Sequence, residues 1–94
     1  MKTIDVKRKN LIVNIHDLGI LHSKINNWYW NNTNLNFEED NELRFIHTGL
    51  MLVTNDKELD DKSIFDMDKE SIWHLFVRKH NEYLNKFSEE LLSS

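Results

Sequence analysis

The chain has 94 residues, no cysteine and no proline, and 16 acidic residues against 12 basic ones give a formal net charge of −4. A chain of this length predicts a single domain, 1–94, and the absence of cysteine excludes disulfides and thiolate metal sites. No apolar run approaches the ~20 residues of a membrane span, and no secretory signal pattern is present, so we expect a cytoplasmic protein.

Charge is distributed unevenly along the chain. Eleven of the 16 acidic residues lie between residues 36 and 70, against four basic residues, so this segment has a net charge of −7. The first 35 residues instead carry five lysines and arginines against two aspartates. An asymmetry of this kind bears on solubility and on the choice of partner, and not on the fold.

The first predicted element covers residues 11–30, where the absence of a turn signal favours a helix. Residues 10–15 would also fit a short strand. One helical stripe is formed by Leu11, Ile15, Leu18, Ile25 and Trp28. Other apolar residues lie off this stripe, so the helix is expected either to be central in a bundle or to be covered by another chain. These residues are Ile12, Val13, Ile20 and Trp30.

The second predicted element begins at Asn36, which with Glu39 resembles a capping box. Glu38 and Asp40 would lie in its first turn, where negative charge is stabilised by the positive end of the helix dipole. Helical spacing then continues through Leu43, Ile46, Leu50 and Val53. Residues 43–53 could also form a strand, because Gly49 costs up to ~1 kcal/mol inside a helix.

The third predicted element is a helix over residues 68–92, with Asp66 or Asp68 as its N-cap. Its apolar seam alternates steps of four and three residues through Trp73, Val77, His80, Leu84, Phe87 and Leu91. Residues 31–36 and 54–66 are predicted connections.

Together these elements predict an all-α three-helix bundle, and the alternative is an α+β fold with strands near 10–15 and 43–53. In an antiparallel bundle, the acids of 54–66 would gather at one end and Glu38–Asp40 at the other.

The sequence holds no recognisable constellation for catalysis or metal binding. Two pairs of the five histidines are six residues apart, His16 with His22 and His74 with His80, which places neither pair on one helical face. His80 lies in an apolar seam, as expected of a core histidine satisfied by a hydrogen bond. No serine lies in a nucleophile elbow and no phosphate loop is present. We therefore expect no enzymatic activity, no cofactor and no metal.

Two further clusters suggest binding. The aromatic run Trp28-Tyr29-Trp30 spans about 200° of a helix, so the three side chains cannot all face one core. Tryptophan and tyrosine are enriched in binding hot spots. The basic run Lys7-Arg8-Lys9 lies in residues 1–9, which are compatible with a flexible, solvated arm.

The sequence favours a small acidic binding protein of inhibitor or immunity type, bacterial or from a phage. Its acidic surface in residues 36–70 would dock on a basic protein, such as a nuclease or nucleic-acid-binding protein, by mimicking nucleic acid. One alternative is a self-associating helical structural or regulatory subunit, for example a homodimer. The least favoured is nucleic-acid binding through the basic arm. The candidate partner-binding residues are Glu38, Glu39, Asp40, Glu42, Asp56, Glu58, Asp60, Asp61, Trp28, Tyr29 and Trp30.

Overall fold

The computed structural model describes the backbone of residues 2–31 and 36–93, and the side chains of 6–31 and 36–93. Three α-helices are formed: α1 (Lys2–Trp30), α2 (Asn41–Thr54) and α3 (Lys69–Ser93). Two short 3₁₀ turns, Lys57–Asp60 and Lys62–Asp66, lie in the connection between α2 and α3. The predicted all-α bundle is confirmed.

The α+β alternative is wrong. Residues 10–15 lie inside α1 and residues 43–53 inside α2, and the described part of the chain contains no strand. Both segments bury one side at helical spacing, for example Leu43, Ile46 and Leu50 in α2. Burial of one such face against neighbouring helices outweighs the local preference of a short apolar run for strand.

α2 and α3 both run antiparallel to α1 and therefore parallel to each other. The indole of Trp28 near the end of α1 lies beside Asp40 at the start of α2, while Gly49 packs on Leu21. On the other side of α1, Tyr29 stacks on Trp73 and His22 stacks on His80. A β-carbon on Gly49 would lie 2.7 Å from Leu21 Cδ2, so the glycine allows this close approach of α2 to α1.

The connection between α2 and α3 consequently returns along the bundle. It contacts α2 where His47 meets Leu59 and contacts α3 where Lys79 meets Asp56. Its far end brings Asp66 to the same cleft as Glu38. The expectation that Glu38–Asp40 and the acids of the connection lie at opposite ends is wrong for Asp66, because α2 and α3 are parallel.

The core lies where all three helices and the connection meet. Its completely or almost completely buried side chains come from each of these elements and are Leu18, Ile25, Ile46, Leu50, Leu59 and Phe76. In α3 the buried face is centred on Ile72, Phe76 and His80, and the predicted seam residues Trp73, Val77 and Leu84 are only half-buried at its edge. The predicted helix is confirmed, with its buried face rotated from the predicted seam.

The starts of α2 and α3 are fixed by aspartate caps. Asp40 is the N-cap of α2, its Oδ1 accepting a 3.0 Å hydrogen bond from Leu43 N. The predicted cap Asn36 instead closes the preceding turn, accepting from Glu39 N at 2.9 Å. At α3, Asp68 accepts from Ser71 N at 2.7 Å. The predicted α3 start is confirmed, whereas α2 begins later than predicted.

α1 is much longer than α2. It begins at Lys2, so residues 2–9, predicted as a basic arm, form its first turns. The last turn of α2 lies level with Asp17, since Asp17 and Val53 line one groove. The first half of α1 therefore extends beyond α2, and the bundle measures 49 × 23 × 18 Å.

Candidate binding surface

A buried lysine holds two of the predicted acids. Lys79 is only 2% exposed, and its Nζ donates to Asp56 Oδ2 at 2.7 Å and to Glu58 Oε2 at 2.6 Å. The hydroxyl of Tyr83 donates to Asp56 Oδ2 at 2.8 Å, and Arg78 pairs with Glu58 at 3.2 Å. These contacts fasten the connection to α3.

The electrostatics of this cluster agree with an internal role. The hydrogen bond from Lys79 lowers the pKa of Asp56 to about 2 and also lowers the pKa of Glu58. Burial opposes the charged form of Lys79, but its hydrogen bonds to the two carboxylates outweigh burial and raise its pKa. Burial, followed by the hydrogen bond to Asp56, raises the pKa of Tyr83 to about 12. Asp56 and Glu58 are thus engaged within the fold.

Two further predicted residues are buried against each other. Trp28 is 3% exposed and Asp40 is 4% exposed, and the indole Nε1 donates to Asp40 Oδ2 at 2.7 Å. The same carboxylate caps α2 through its other oxygen. This pair joins the end of α1 to the start of α2, and neither side chain lies on the surface.

The other two aromatic residues of the run lie further out. Tyr29 is half-buried and stacks on Trp73 with ring centroids 4.5 Å apart. Trp30 is 73% exposed and meets Tyr29 edge-on at 5.2 Å. Lys69 Nζ lies 5.3 Å from the Tyr29 centroid. The run thus changes from core to surface within three residues, as the 100° rotation per residue requires.

Exposed carboxylates surround this end of the bundle, where α1 ends and α2 and α3 begin. With Trp30 they form what we name the acidic end: Trp30, Glu38, Glu39, Asp66, Asp68 and Glu70. The N–H of Ser71 lowers the pKa of Asp68, so this cap keeps its negative charge. Glu70 lies 3.8 Å from His74 Nε2 on the next turn. Among the described residues, neither Lys nor Arg forms an ion pair with these carboxylates.

The remaining predicted acids lie elsewhere. Asp60 and Asp61 are exposed on the connection, and Asp61 accepts a 2.9 Å hydrogen bond from Ser63 N. Glu42 is half-buried in the first turn of α2. The structure therefore places Trp30, Glu38 and Glu39 at one end of the bundle and Asp60 and Asp61 along the connection, and it leaves Glu42 half-buried. The remaining predicted residues are held by internal contacts: Trp28, Tyr29, Asp40, Asp56 and Glu58.

Sequence reasoning missed the stacked histidines. The rings of His22 on α1 and His80 on α3 lie 4.4 Å apart and nearly parallel. Burial, followed by the repulsion from His80, lowers the pKa of His22. Spacing within one helix could not reveal a pair that joins two helices. His80 itself is buried and shares a 3.0 Å hydrogen bond with Asn81, as expected for a core histidine.

The other buried histidine, His47, also has a structural role. His47 Nε2 donates to the carbonyl of Leu59 at 2.6 Å, which holds the connection against α2. Among the residues that the structure describes, no three His, Cys, Asp or Glu side chains are grouped so that they could hold a metal ion. The described helices likewise include none with the length and apolar character that crossing a membrane demands.

A cleft between the connection and α3 has a volume of about 640 Å³. Arg78, Glu58, His74 and Asp61 lie on its walls around apolar Ile64. Arg78 and Glu58 pair across it at 3.2 Å, so its strongest charges neutralise each other. At the acidic end Lys69 lies beside Tyr29, Trp30 and Glu70, and within the described ranges no Lys or Arg forms an ion pair with its five carboxylates.

Comparisons of the chain with protein-family models, with curated proteins and with solved structures find no match. The geometry and charge of the surface therefore carry the information on function.

Proposed function

We propose that this chain is a small non-enzymatic binding protein of inhibitor or immunity type, which docks its acidic end on a basic protein partner. The observation that carries the proposal is the position of Trp30. This side chain is 73% exposed at the end of the bundle where five exposed carboxylates lie. A large exposed aromatic side chain within a charged rim has the composition of a binding hot spot.

Rigid support strengthens this interpretation. Trp30 is in contact with Tyr29, which in turn stacks on Trp73 of α3. The carboxylates are borne by helix starts and capped turns, including Asp68 at the N-cap of α3. A surface ordered before binding loses less conformational entropy when the partner arrives.

Charge would act mainly on the rate of encounter. The carboxylates lie at one end, while Lys7, Arg8 and Lys9 are exposed near the opposite end of the long axis. A molecule with separated charges is oriented by the field of a basic partner, which raises the association rate at low salt. Asp60 and Asp61 add two exposed carboxylates on the connection, next to the exposed Lys57 and Lys62. The acidic end itself is the surface that would match a basic site of a nuclease or another nucleic-acid-binding protein.

The test is affinity capture from the native source at low and high salt, with quantitative mass spectrometry. The test variant combines Glu38→Gln, Glu39→Gln and Glu70→Gln, and the matched control combines Glu82→Gln, Glu89→Gln and Glu90→Gln on α3. Both variants remove three charges, so a general effect of net charge cancels.

We expect the test variant to lose at least about tenfold of a salt-sensitive basic partner, because three desolvated or rim charges together contribute more than one factor of ten in affinity. The control variant should retain that partner. Equal retention by both variants, or equal loss by both, would contradict docking through the acidic end. Asp56 and Glu58 are unsuitable for this test because their loss would leave Lys79 buried without its carboxylates.

A further inference from the structure

Five exposed apolar side chains form a stripe on the α1 and α2 side of the bundle, away from the acidic end's carboxylates. On α1 they are Val6, Val13 and Ile20, and on α2 they are Phe45 and Leu52. We name these five the apolar stripe. Their exposed fractions run from 43% for Ile20 to 80% for Leu52. On each helix the members are seven residues apart, the repeat that keeps side chains on one side of paired helices.

The apolar stripe has the area of a patch that is often functional. Its exposed area is roughly 500 Å², which is in the range of the largest apolar patch on a typical monomeric protein. Ile20, Phe45 and Leu52 line one shallow groove of about 290 Å³ between α1 and α2. The core of the bundle makes no use of this face, because the buried side chains of α1 point the other way, as Leu18 and Ile25 do.

We infer that the apolar stripe is the interface of a two-fold symmetric homodimer, in which the α1 helices of two copies pair antiparallel about Val13. Val6 and Ile20 lie seven residues on either side of Val13, so the two-fold places Val6 of each copy against Ile20 of the other. Val13 meets its own equivalent at the axis. The pattern is therefore complementary to itself, which an isologous interface requires.

Charges beside the stripe fit the same axis. Lys9 and Asp17 lie four residues on either side of Val13, so each Lys9 would face Asp17 of the other copy, twice in the dimer. The antiparallel arrangement also separates the basic ends, with the two Arg8 residues about 15 Å apart along the helices. That distance exceeds the screening length at physiological salt.

The unequal lengths of α1 and α2 supply the third argument. α2 has 14 residues, about 21 Å, and it ends level with Asp17. The antiparallel dimer brings α2 of the second copy alongside the first half of α1. In this register Leu52 of that copy lies beside Val6, while Val13 is covered by its own equivalent. This contact adds the exposed surface of Leu52 to the apolar area that the α1 pairing removes from water.

Sedimentation velocity of the full chain over a wide concentration range tests the inference. Val13→Lys places two ammonium groups together at the axis, and Leu52→Lys places a cation in the apolar groove. We expect each to raise the dimer dissociation constant at least about tenfold, since a charge would lose its water at the interface. Leu92→Lys is the control, because Leu92 is 87% exposed on α3 and outside the stripe.

A charge exchange tests the register. Lys9→Asp and Asp17→Lys should each weaken the dimer roughly fivefold, as expected for two exposed ion pairs turned repulsive. The double variant should restore the wild-type dissociation constant. Helicity measured by circular dichroism should stay unchanged in every variant, since none of these side chains is buried in the core.

Three results would overturn the inference: a wild-type chain that is monomeric at every concentration, a dimer that Val13→Lys and Leu52→Lys leave intact, or a double exchange variant that fails to recover. The first would leave the stripe to a different protein, and the second would place the dimer on another face. None of these variants touches the acidic end, so failure here is separate from failure of the proposed function.

Discussion

Replacing Lys79 with methionine tests whether the buried lysine cluster holds the connection to α3. Lys79→Met keeps most of the aliphatic stem, which packs inside the bundle, and removes the ammonium group that Asp56 and Glu58 share at 2.7 and 2.6 Å. Asp56 is then left as a carboxylate with a side chain only 14% exposed. Lys62→Met, at an exposed position on the same connection, is the control.

The expected loss of stability follows from Asp56. Its pKa falls from 3.8 to about 2 in the folded protein, through Lys79 first and then through Tyr83 and the backbone N–H of Glu58. The whole shift corresponds to about 2 kcal/mol at neutral pH. Removing one partner of a fully buried pair costs about 3–5 kcal/mol, and the exposed position of Glu58 places this cluster below that range. We expect Lys79→Met to lower the free energy of unfolding by about 2–3 kcal/mol and Tm by roughly 10–20 °C.

Urea unfolding followed by circular dichroism measures the loss, and a double-mutant cycle with Asp56→Asn isolates the pair. The folded-state pKa of Asp56 is lowered, so its contribution is present above pH 3.8 and is lost as pH falls through about 2. Wild type should show this acid dependence more strongly than Lys79→Met. A Lys79→Met loss no larger than that of Lys62→Met, or a coupling energy near zero, would refute the reasoning.

Three further predictions use matched positions. Gly19→Ala should raise the free energy of unfolding by about 0.5–1 kcal/mol, because nothing lies within 4 Å of the added β-carbon. Gly49→Ala should not give this gain, because its β-carbon would lie 2.7 Å from the buried Leu21. Thermal melts of the two variants measure the difference. Trp28→Phe should lower the free energy of unfolding by about 2–4 kcal/mol, because the hydrogen bond to a buried carboxylate is lost and the ring is smaller. Trp30→Phe should lower it by less than about 0.5 kcal/mol. Equal urea midpoints for the two variants would contradict this expectation. The pKa of His22 is lowered in the folded protein, so the unfolded chain protonates this imidazole more readily. The contribution of His22 to stability should therefore be fully present above pH 6.5 and be lost as pH falls through the folded-state pKa. In urea melts, the free energy of unfolding of His22→Gln should decrease less over this pH range than that of wild type.

The helices were predictable where local signals and tertiary contacts agree. α3 follows its apolar spacing and its aspartate cap, so its predicted and observed limits differ by one residue at each end. The start of α2 was misplaced because Asn36 and Asp40 are both suitable caps. The indole of Trp28, twelve residues earlier in the chain, donates to Asp40 and thereby favours the later start.

The candidate surface was predictable only in part, because many acids have distant partners. The density of carboxylates in residues 36–70 is visible in the sequence, but the contacts of Asp56 and Glu58 with Lys79 join residues more than 20 positions apart. One signal was present: Lys79 lies seven residues after Ile72 on the buried face of α3. A lysine at such a position requires a carboxylate partner inside the fold.

Likewise, spacing could not show that α2 and α3 are parallel, since this depends on the path of the connection. The exposed apolar residues of α1, in contrast, were indicated by their position off the main stripe. Val13, Ile20 and Trp30 lie on the surface, as expected of a helix that is apolar on more than one side.

Site-specific photo-crosslinking at position 30 tests the proposed docking surface most directly. A benzoylphenylalanine residue would replace Trp30 in one sample and Leu92, which is also highly exposed, in another, both in the native source. We predict a covalent adduct with a basic protein from position 30 alone, decreasing as salt is raised. Adducts of equal yield from both positions, or an adduct at position 30 that is insensitive to salt, would contradict the account.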